Sequence, residues 1–534
     1  MINFSEEQVV RSAMWAAYGD AAGFATELIS KQDFTKRYSI DSLTGPIDWS
    51  RKVGGMFGPV VQFPVGTYSD DTQLRLSTSR AIRGDGYFDV ESFAKVELPV
   101  WLNYSLGAGR GSKAAATHLS QREVSWSQNF FKSAGNDYCK GGGNGAAMRI
   151  QPHVWACQQL QASSFITDVV RNSICTHGHP RAVIGACIHA AMLHHTLIKK
   201  CLPTPDEWFS IGENAAVAGY ESLVEDPELS LVWIPHWNNI SEVSIEAAWA
   251  ETVIEWQNCT EAAVRICSSI SKPDEAYRKI LQEMHGFDPQ QRGSGLRTAL
   301  FSTAIAWLYR NDSPEVGLLV AANTFQSDTD TIATMAGALL GAIAHELPIS
   351  EIQDAQYIQE EAKRIYRIGL GERQPSFRYP DLLKWIPPKN QVDSWVVVAG
   401  KPRLHGLGPL SLIGTPYVST KGDLLWQWCG LPFGQTVLAK RRKGSEELDQ
   451  PSEPAQRDFL RNPPPQQHTV SAEVPRVIPI LQGIDAHTSR CIKSNFDPKL
   501  IGESLLAVSQ GEMGIENAIA FAAIIAKARL ARHS

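Results

Sequence analysis

Ser327-Asp328-Thr329-Asp330-Thr331 runs directly into Ile332-Ala333-Thr334-Met335-Ala336-Gly337-Ala338-Leu339-Leu340-Gly341, so carboxylates and hydroxyls stand at the mouth of an apolar stripe. Ile332, Met335, Ala336, Leu339, Leu340 and Ile343 recur at helical spacing, and Gly337 and Gly341 leave room for a second helix to approach. Residues two apart on a continuous helix point about 200° from each other. Asp328 and Asp330 can therefore converge only on the turn that enters the helix. The same arrangement occurs earlier, where Ser69-Asp70-Asp71-Thr72 precedes Leu74, Thr78, Ala81 and Ile82. Val9, Val10, Ala13, Met14 and Ala17 mark a further helix face. Helix signals continue to about residue 370, so the chain reads as mainly all-α with an additional mixed C-terminal region.

Two readings of the acidic turns stay open at this level. Ser, Asp and Thr are favoured helix caps, and negative charge suits a helix N-terminus. One cap needs one such residue, however, and each turn offers two carboxylates with hydroxyls beside them. If the turns face each other, the carboxylates repel and raise one another's pKa unless cations intervene. An all-oxygen donor set is hard, which suits Mg²⁺ or Mn²⁺, and so many carboxylates suit two ions.

Three more segments bear on chemistry. Gly141-Gly142-Gly143-Asn144-Gly145-Ala146-Ala147-Met148-Arg149 would let backbone N–H groups approach an anion, although a plain flexible turn has the same composition. Thr176-His177-Gly178-His179-Pro180 offers two imidazoles that could ligate a metal, although such a pair is more often polar loop chemistry or a satisfied core histidine. Asp20 and Glu27 are seven apart, on roughly one helix face, where a lone carboxylate is commonly a surface residue.

Bulk properties narrow the class. The chain has 534 residues, 43% hydrophobic and 20% charged, which fits a folded protein with more than one domain. A net charge of -6 without a dense basic stripe argues against general nucleic-acid binding. The apolar stretches near 335–344 and 518–526 fall short of the ~20 residues that cross a bilayer, so no membrane partner is expected. Nine cysteines without a C-x-x-C pair, and no secretory signal at the start, predict reduced thiols and a cytoplasmic location.

The composition changes near residue 385. The expected division is a catalytic domain over 1–385 and an accessory region over 386–534. Val396, Val397 and Val398, followed by Gly- and Pro-rich turns through Pro432, predict short strands. Residues 440–473 read as a linker, and a final helix starts near Gly514, with Ile515, Ala518, Ile519, Ala522 and Ala526 on one face. Between 202 and 245 the pattern is irregular and rich in Trp and Pro, which predicts a surface excursion.

Taken together and in order, these segments resemble the ADP-ribosylglycohydrolase family over about residues 5–370. The resemblance implies an almost all-α fold with a two-metal site at one end. It also implies hydrolysis at the anomeric carbon of the distal ribose of an ADP-ribosylated acceptor. It assigns Ser69, Asp70, Asp71, Asp328, Asp330 and Thr331 to two Mg²⁺ or Mn²⁺ ions, with Glu27, Asp71 and Asp330 as the catalytic set. It gives ligand binding to Gly143, Asn144, Gly145, Ala146, Met148 and His177. Two departures stand out: Gln326-Ser327 replaces a pair of glycines, and Lys140-Gly141-Gly142 stands where some relatives have acidic residues. If the catalytic core ends near 370, a chain cut at about Pro388 should keep its chemistry, and the rest would serve recognition of a partner. The alternatives are a silent ADP-ribose-binding or structural homologue, and an immunity protein that also blocks a toxin through its C-terminal region.

Overall fold

In the computed structural model, the described residues are 4–133, 135–157, 163–444, 484–494, 496–510 and 514–533. They divide between two compact units that meet in sequence at residues 451 and 452.

The first unit is built on helix α1 (Glu6–Phe24). Its start is fixed by a capping box: Gln8 N–H donates to Ser5 Oγ at 3.3 Å, and Ser5 N–H donates to Gln8 Oε1 at 3.0 Å. A two-stranded hairpin follows, β1 (Trp49–Lys52) against β2 (Val60–Phe63), with Trp49 opposite Phe63 and Arg51 opposite Val61. Then come α2 (Asp70–Ala81), α3 (Arg110–Leu119), α4 (Pro180–Lys199), α5 (Pro205–Glu225), α6 (Ile245–Ser269), α7 (Gly295–Leu308), α8 (Pro314–Ala322), α9 (Thr329–Ile343) and α10 (Ala355–Gly369). Helix α4 is long and apolar enough to cross a bilayer, but 89% of its apolar window is buried inside the unit, as a central core helix must be.

Helices α1 and α9 touch backbone to backbone. A Cβ added at Gly19 would lie 2.2 Å from Ala333 O, and one at Gly23 would lie 2.4 Å from Asp330 Cα. From the other side, a Cβ at Gly337 would lie 2.2 Å from Trp15 O and one at Gly341 2.5 Å from Arg11 O. Only glycine permits that approach. It sets the C-terminal end of α1 against the first turn of α9.

The stretch read as a surface excursion is largely helical. Thr204 and Glu207 form a capping box, Pro205 occupies the first turn, and α5 runs unbroken to Glu225. The segment Leu229–Ile240 packs behind the His177 turn, where Trp237 Nε1 donates to Gly178 O at 2.9 Å and Trp233 Nε1 to Tyr138 Oη at 2.9 Å.

The strands predicted beyond residue 385 are present. β3 (Trp395–Val398) pairs with β4 (Lys401–Leu404). A second sheet, β5 (Ser411–Val418), β6 (Leu424–Gly430) and β7 (Thr436–Arg442), is antiparallel in the order β7-β6-β5. Lys440-Arg441-Arg442, the start of the expected linker, is therefore strand; residues 445–473 of that stretch lie outside the described residues. Trp395, Leu404, Cys429 and Val437 join the same buried core as α1 and α9. Gln435 Oε1 accepts from the buried Arg80 of α2 at 2.8 Å, and Thr436 N–H donates to Asp354 at 2.7 Å. A chain cut at Pro388 would strip these partners from buried groups, so the expectation that such a chain keeps its chemistry meets a physical obstacle.

The second unit holds α11 (Ile484–Lys493), α12 (Pro498–Val508) and α13 (Gly514–His533), gathered around Cys491, Val508, Phe521 and Ile525. Helix α13 is the predicted final helix.

Candidate functional site

The two acidic turns meet. Thr331 Oγ1 donates to Asp71 Oδ1 at 3.4 Å, a contact between residues 260 apart in the chain. Ser69, Asp70, Asp71, Asp330 and Thr331 are buried, while Asp328 and Glu27 are half-buried.

Capping and ligand roles separate within these turns. Ser69 is a cap: its Oγ accepts from Asp71 N–H at 3.2 Å. Asp328 occupies the cap position of α9 without making the side-chain cap bond. Its Oδ2 instead accepts from Asn144 Nδ2 at 2.9 Å. Asp71 Oδ2 is buried and has no hydrogen-bond partner among the described residues. Capping therefore accounts for Ser69 and leaves both carboxylates unexplained.

Asp20, read from sequence as a surface carboxylate, is fully buried and organises the first turn. It accepts from Ser69 N–H at 2.8 Å, from Thr72 N–H at 2.9 Å and from Thr72 Oγ1 at 2.5 Å. Arg75, which the sequence reading did not single out, is buried beneath it and donates to Thr72 Oγ1 at 2.7 Å and Thr334 Oγ1 at 2.9 Å. An arginine one helical turn after Asp71 was the available signal, but that spacing does not separate a buried counter-charge from an exposed pair.

The electrostatics follow from burial. Asp70, Asp71 and Asp330 are pushed well above the usual carboxylate range, first by desolvation and then by one another and by Glu27, Asp20 and Asp328. Asp20 is raised by burial against its hydrogen bonds. Glu27 is pushed up to about 7 by burial and then by Asp328, with Arg51 and Arg292 pulling the other way. Among the described residues, no three acidic, histidine or cysteine side chains are converged into a coordination sphere. The carboxylates are close enough to repel, not packed around one point. The donor set nonetheless fits a hard divalent cation, because Asp71 Oδ2 is a buried carboxyl oxygen with no hydrogen-bond partner among the described residues.

The glycine loop faces this cluster. Its backbone is pinned by Asn144 N–H to Gly293 O at 2.9 Å and Gly295 N–H to Gly142 O at 2.9 Å. Arg149 is buried and ties the loop from below, donating to Gly145 O at 2.7 Å and Thr176 Oγ1 at 2.8 Å. A Cβ at Gly145 would lie 2.7 Å from Ser112 Oγ and 3.0 Å from His177 Cε1. The His177 ring thus lies beneath Gly143 and Gly145. Burial holds it neutral, with its pKa pushed down to about 3, and Nδ1 pairs with Thr176 Oγ1 at 2.7 Å. His179 stands apart as the cap of α4, accepting from Arg181 N–H. Ala146 and Met148 are buried in the core, so the loop presents backbone where they stand.

At the turn before α9, the replacement of glycine carries a cost. Gln326 has φ 71°, in the left-handed region. Arg292 Nη1 donates to Gln326 O at 3.1 Å, and Gln326 N–H donates to Ile29 O at 3.2 Å, so the glycine-type turn is kept with a side chain on it.

A buried acid cluster at helix ends stands opposite a glycine loop on a mainly helical scaffold. Residues 6–374 match the ADP-ribosylglycohydrolase family, and the chain belongs to it. A solved structure described as an ADP-ribosylglycohydrolase-related protein complex aligns at 18% identity with a TM-score of 0.40, covering 68% of this chain and 98% of that one. No curated protein matches the chain.

Proposed function

We propose that this protein releases ADP-ribose from a modified acceptor by hydrolysing the bond at the anomeric carbon of the distal ribose. The observation that carries the reading is the buried, partnerless Asp71 Oδ2 inside a cluster of mutually repelling carboxylates. A binding protein with no use for cations gains nothing from such a cluster, since every buried anion costs desolvation.

Ser69, Asp70, Asp71, Asp328, Asp330 and Thr331 would hold two Mg²⁺ or Mn²⁺ ions. When bound, such ions supply Lewis acidity and offset negative charge at the reacting centre. The remaining work falls to the chain. Asp20 and Arg75 hold the first acidic turn in register. Glu27, held above the ordinary carboxylate range by burial in the metal-free protein, takes or relays a proton from the attacking water. The backbone N–H groups of Gly143, Gly145 and Ala146 receive the diphosphate, and neutral His177 meets the ribose end of the ligand. The acceptor could be a protein side chain, a nucleobase or a small molecule. We place the protein in the cytoplasm, in keeping with nine free thiols.

The test is to incubate the full chain, with Mg²⁺ or Mn²⁺, with acceptors ADP-ribosylated on arginine, serine, a nucleobase and a small molecule. Free ADP-ribose is then measured by chromatography. Release from at least one acceptor, abolished by chelation, is expected. No release from any acceptor rejects the reading.

A further inference from the structure

The hairpin β1–β2 lies over the turn that carries Glu27. The Phe24 ring sits edge-on to Trp49 at 5.0 Å and to Phe63 at 6.1 Å, and Trp49 stacks on Phe63 at 4.8 Å. Arg51 is two residues beyond Trp49 and so shares its face of the strand. Its guanidinium lies 5.4 Å from the Phe24 ring centroid, and its Nη1 lies 3.9 Å from Glu27 Oε2. Such a pair with Arg51 38% exposed would be weak on its own. Here the guanidinium is also held against an aromatic face. The other charged groups acting on Glu27 are Asp20, Asp70, Asp328 and Asp330, which repel it, and Arg292, whose Nη1 is bound to Gln326 O.

The hairpin is gripped by the β5–β7 sheet, which begins well beyond residue 374, the end of the family match. Trp428 Nε1 donates to Gln62 O at 3.3 Å, and its ring meets Phe63 at 6.0 Å. Gly54, at φ 77°, lies on the Trp426 ring so closely that a Cβ there would come within 2.2 Å of Cζ2. Thr420 donates to Phe57 O through its backbone N–H at 2.8 Å and through Oγ1 at 2.9 Å, and the Lys421 ammonium lies 4.7 Å from the Phe57 ring centroid. The hairpin is thus fastened to the sheet at Gly54, Gln62 and Phe63 and to the β5–β6 loop at Phe57.

We propose that the sheet clamps the hairpin so that Arg51 holds the Glu27 carboxylate in its working orientation. Arg51 is then a positioning residue for the hydrolysis, and the chain beyond the family-matched span is part of what sets turnover. This rests on the role proposed above for Glu27.

The test is a double-mutant cycle on the full chain with Mg²⁺, using whichever acceptor of the panel releases ADP-ribose fastest. Arg51→Met should lower kcat by about tenfold to a hundredfold, with KM changed by less than about twofold. Arg51→Lys should recover most of the loss. In the Glu27→Gln background Arg51→Met should have no further effect, because the group it orients is gone. Gly54→Ala should repeat the pattern from a distance, lowering kcat in the parent and not in Glu27→Gln; Thr420→Val is the milder substitute if Gly54→Ala does not melt cooperatively. An unchanged kcat in Arg51→Met, a rise in KM alone, or an undiminished loss in the Glu27→Gln background would overturn the proposal. A Glu27→Gln protein that turns over at the parental rate rejects the role of Glu27 itself, and an inactive parent rejects the hydrolase reading; either removes this proposal with it.

Discussion

One half of the candidate site is made of charge and the other of backbone. In the acid half, Asp70, Asp71 and Asp330 are buried against each other and held above their usual pKa range by that proximity. In the loop half, Gly143, Asn144 and Gly145 stand over a neutral imidazole, tied from below by Arg149. The acid half is electrostatically unfinished, and folding makes it so by removing water from carboxylates that a cation could relax. The loop half is held in place by its own hydrogen bonds. Asn144 crosses between them through Asp328. The two halves should therefore answer differently to mutation, metal and pH.

The largest effect is expected in the acid half. Asp71→Asn or Asp330→Asn should lower turnover by about a hundredfold or more and weaken Mg²⁺ binding in calorimetric titration. The metal-free variants should melt no lower than the metal-free parent, because a repelling charge has gone. Metal affinity and stoichiometry that match the parent in both variants would erase the distinction between the halves. The counterpart in the loop half is Gly145→Ala, whose Cβ would crowd Ser112 and His177. ADP-ribose affinity should fall by about tenfold, equivalent to about 1.4 kcal/mol, while Mg²⁺ affinity stays at the parental value. A parallel loss of both would mean that the halves are not separate.

pH sharpens the comparison. Glu27 is raised from 4.5 to about 7 on folding. A group whose folded pKa is raised stabilises the fold below its unfolded pKa, and that contribution is lost as pH rises through the folded value. Asp70, Asp71 and Asp330 shift in the same direction. The metal-free protein should thus lose melting temperature between about pH 5 and pH 8, and the gap between Mg²⁺-loaded and metal-free protein should widen over that window. A gap in calorimetric scans that does not vary with pH contradicts this. The smallest effect belongs to the turn between them. Gln326→Gly should relieve left-handed strain at the cost of chain entropy, for a net gain of about 0.5–1 kcal/mol in denaturant unfolding. A loss of stability there would show that the Gln326 side chain holds the turn.

The periodic and capped parts of the fold were legible in sequence. Apolar spacing marked α1, α2, α9 and the final helix, and glycines at 337 and 341 announced a close helix contact. The acidic turns were legible as a pair because caps need one such residue, not two carboxylates. What was not legible came from partners distant in sequence. Asp20 looks like a surface carboxylate until α2 docks its N–H groups upon it, and Arg75 has no pattern that distinguishes a buried counter-charge from an exposed one. The Trp- and Pro-rich stretch hid a helix because its apolar positions face several neighbours, although Thr204, Pro205 and Glu207 carried the start signal. The place of the β5–β7 sheet was also hidden: composition marks where strands begin, not which hairpin they grip.

The glycine contact between α1 and α9 has a consequence for the order of assembly. Gly23 O accepts from Thr329 Oγ1, a hydrogen bond spanning 306 residues. Helix α1 leaves the ribosome well before α9, yet its groove is filled by that later helix. Such distant closure is slow relative to local helix formation. During that interval the small-residue face of α1 has no cover, and the window for aggregation or chaperone capture lies there. Slowing translation once Ile343 has cleared the ribosome should raise the yield of folded protein, whereas slowing it while Thr329 is still inside should prolong the exposed state.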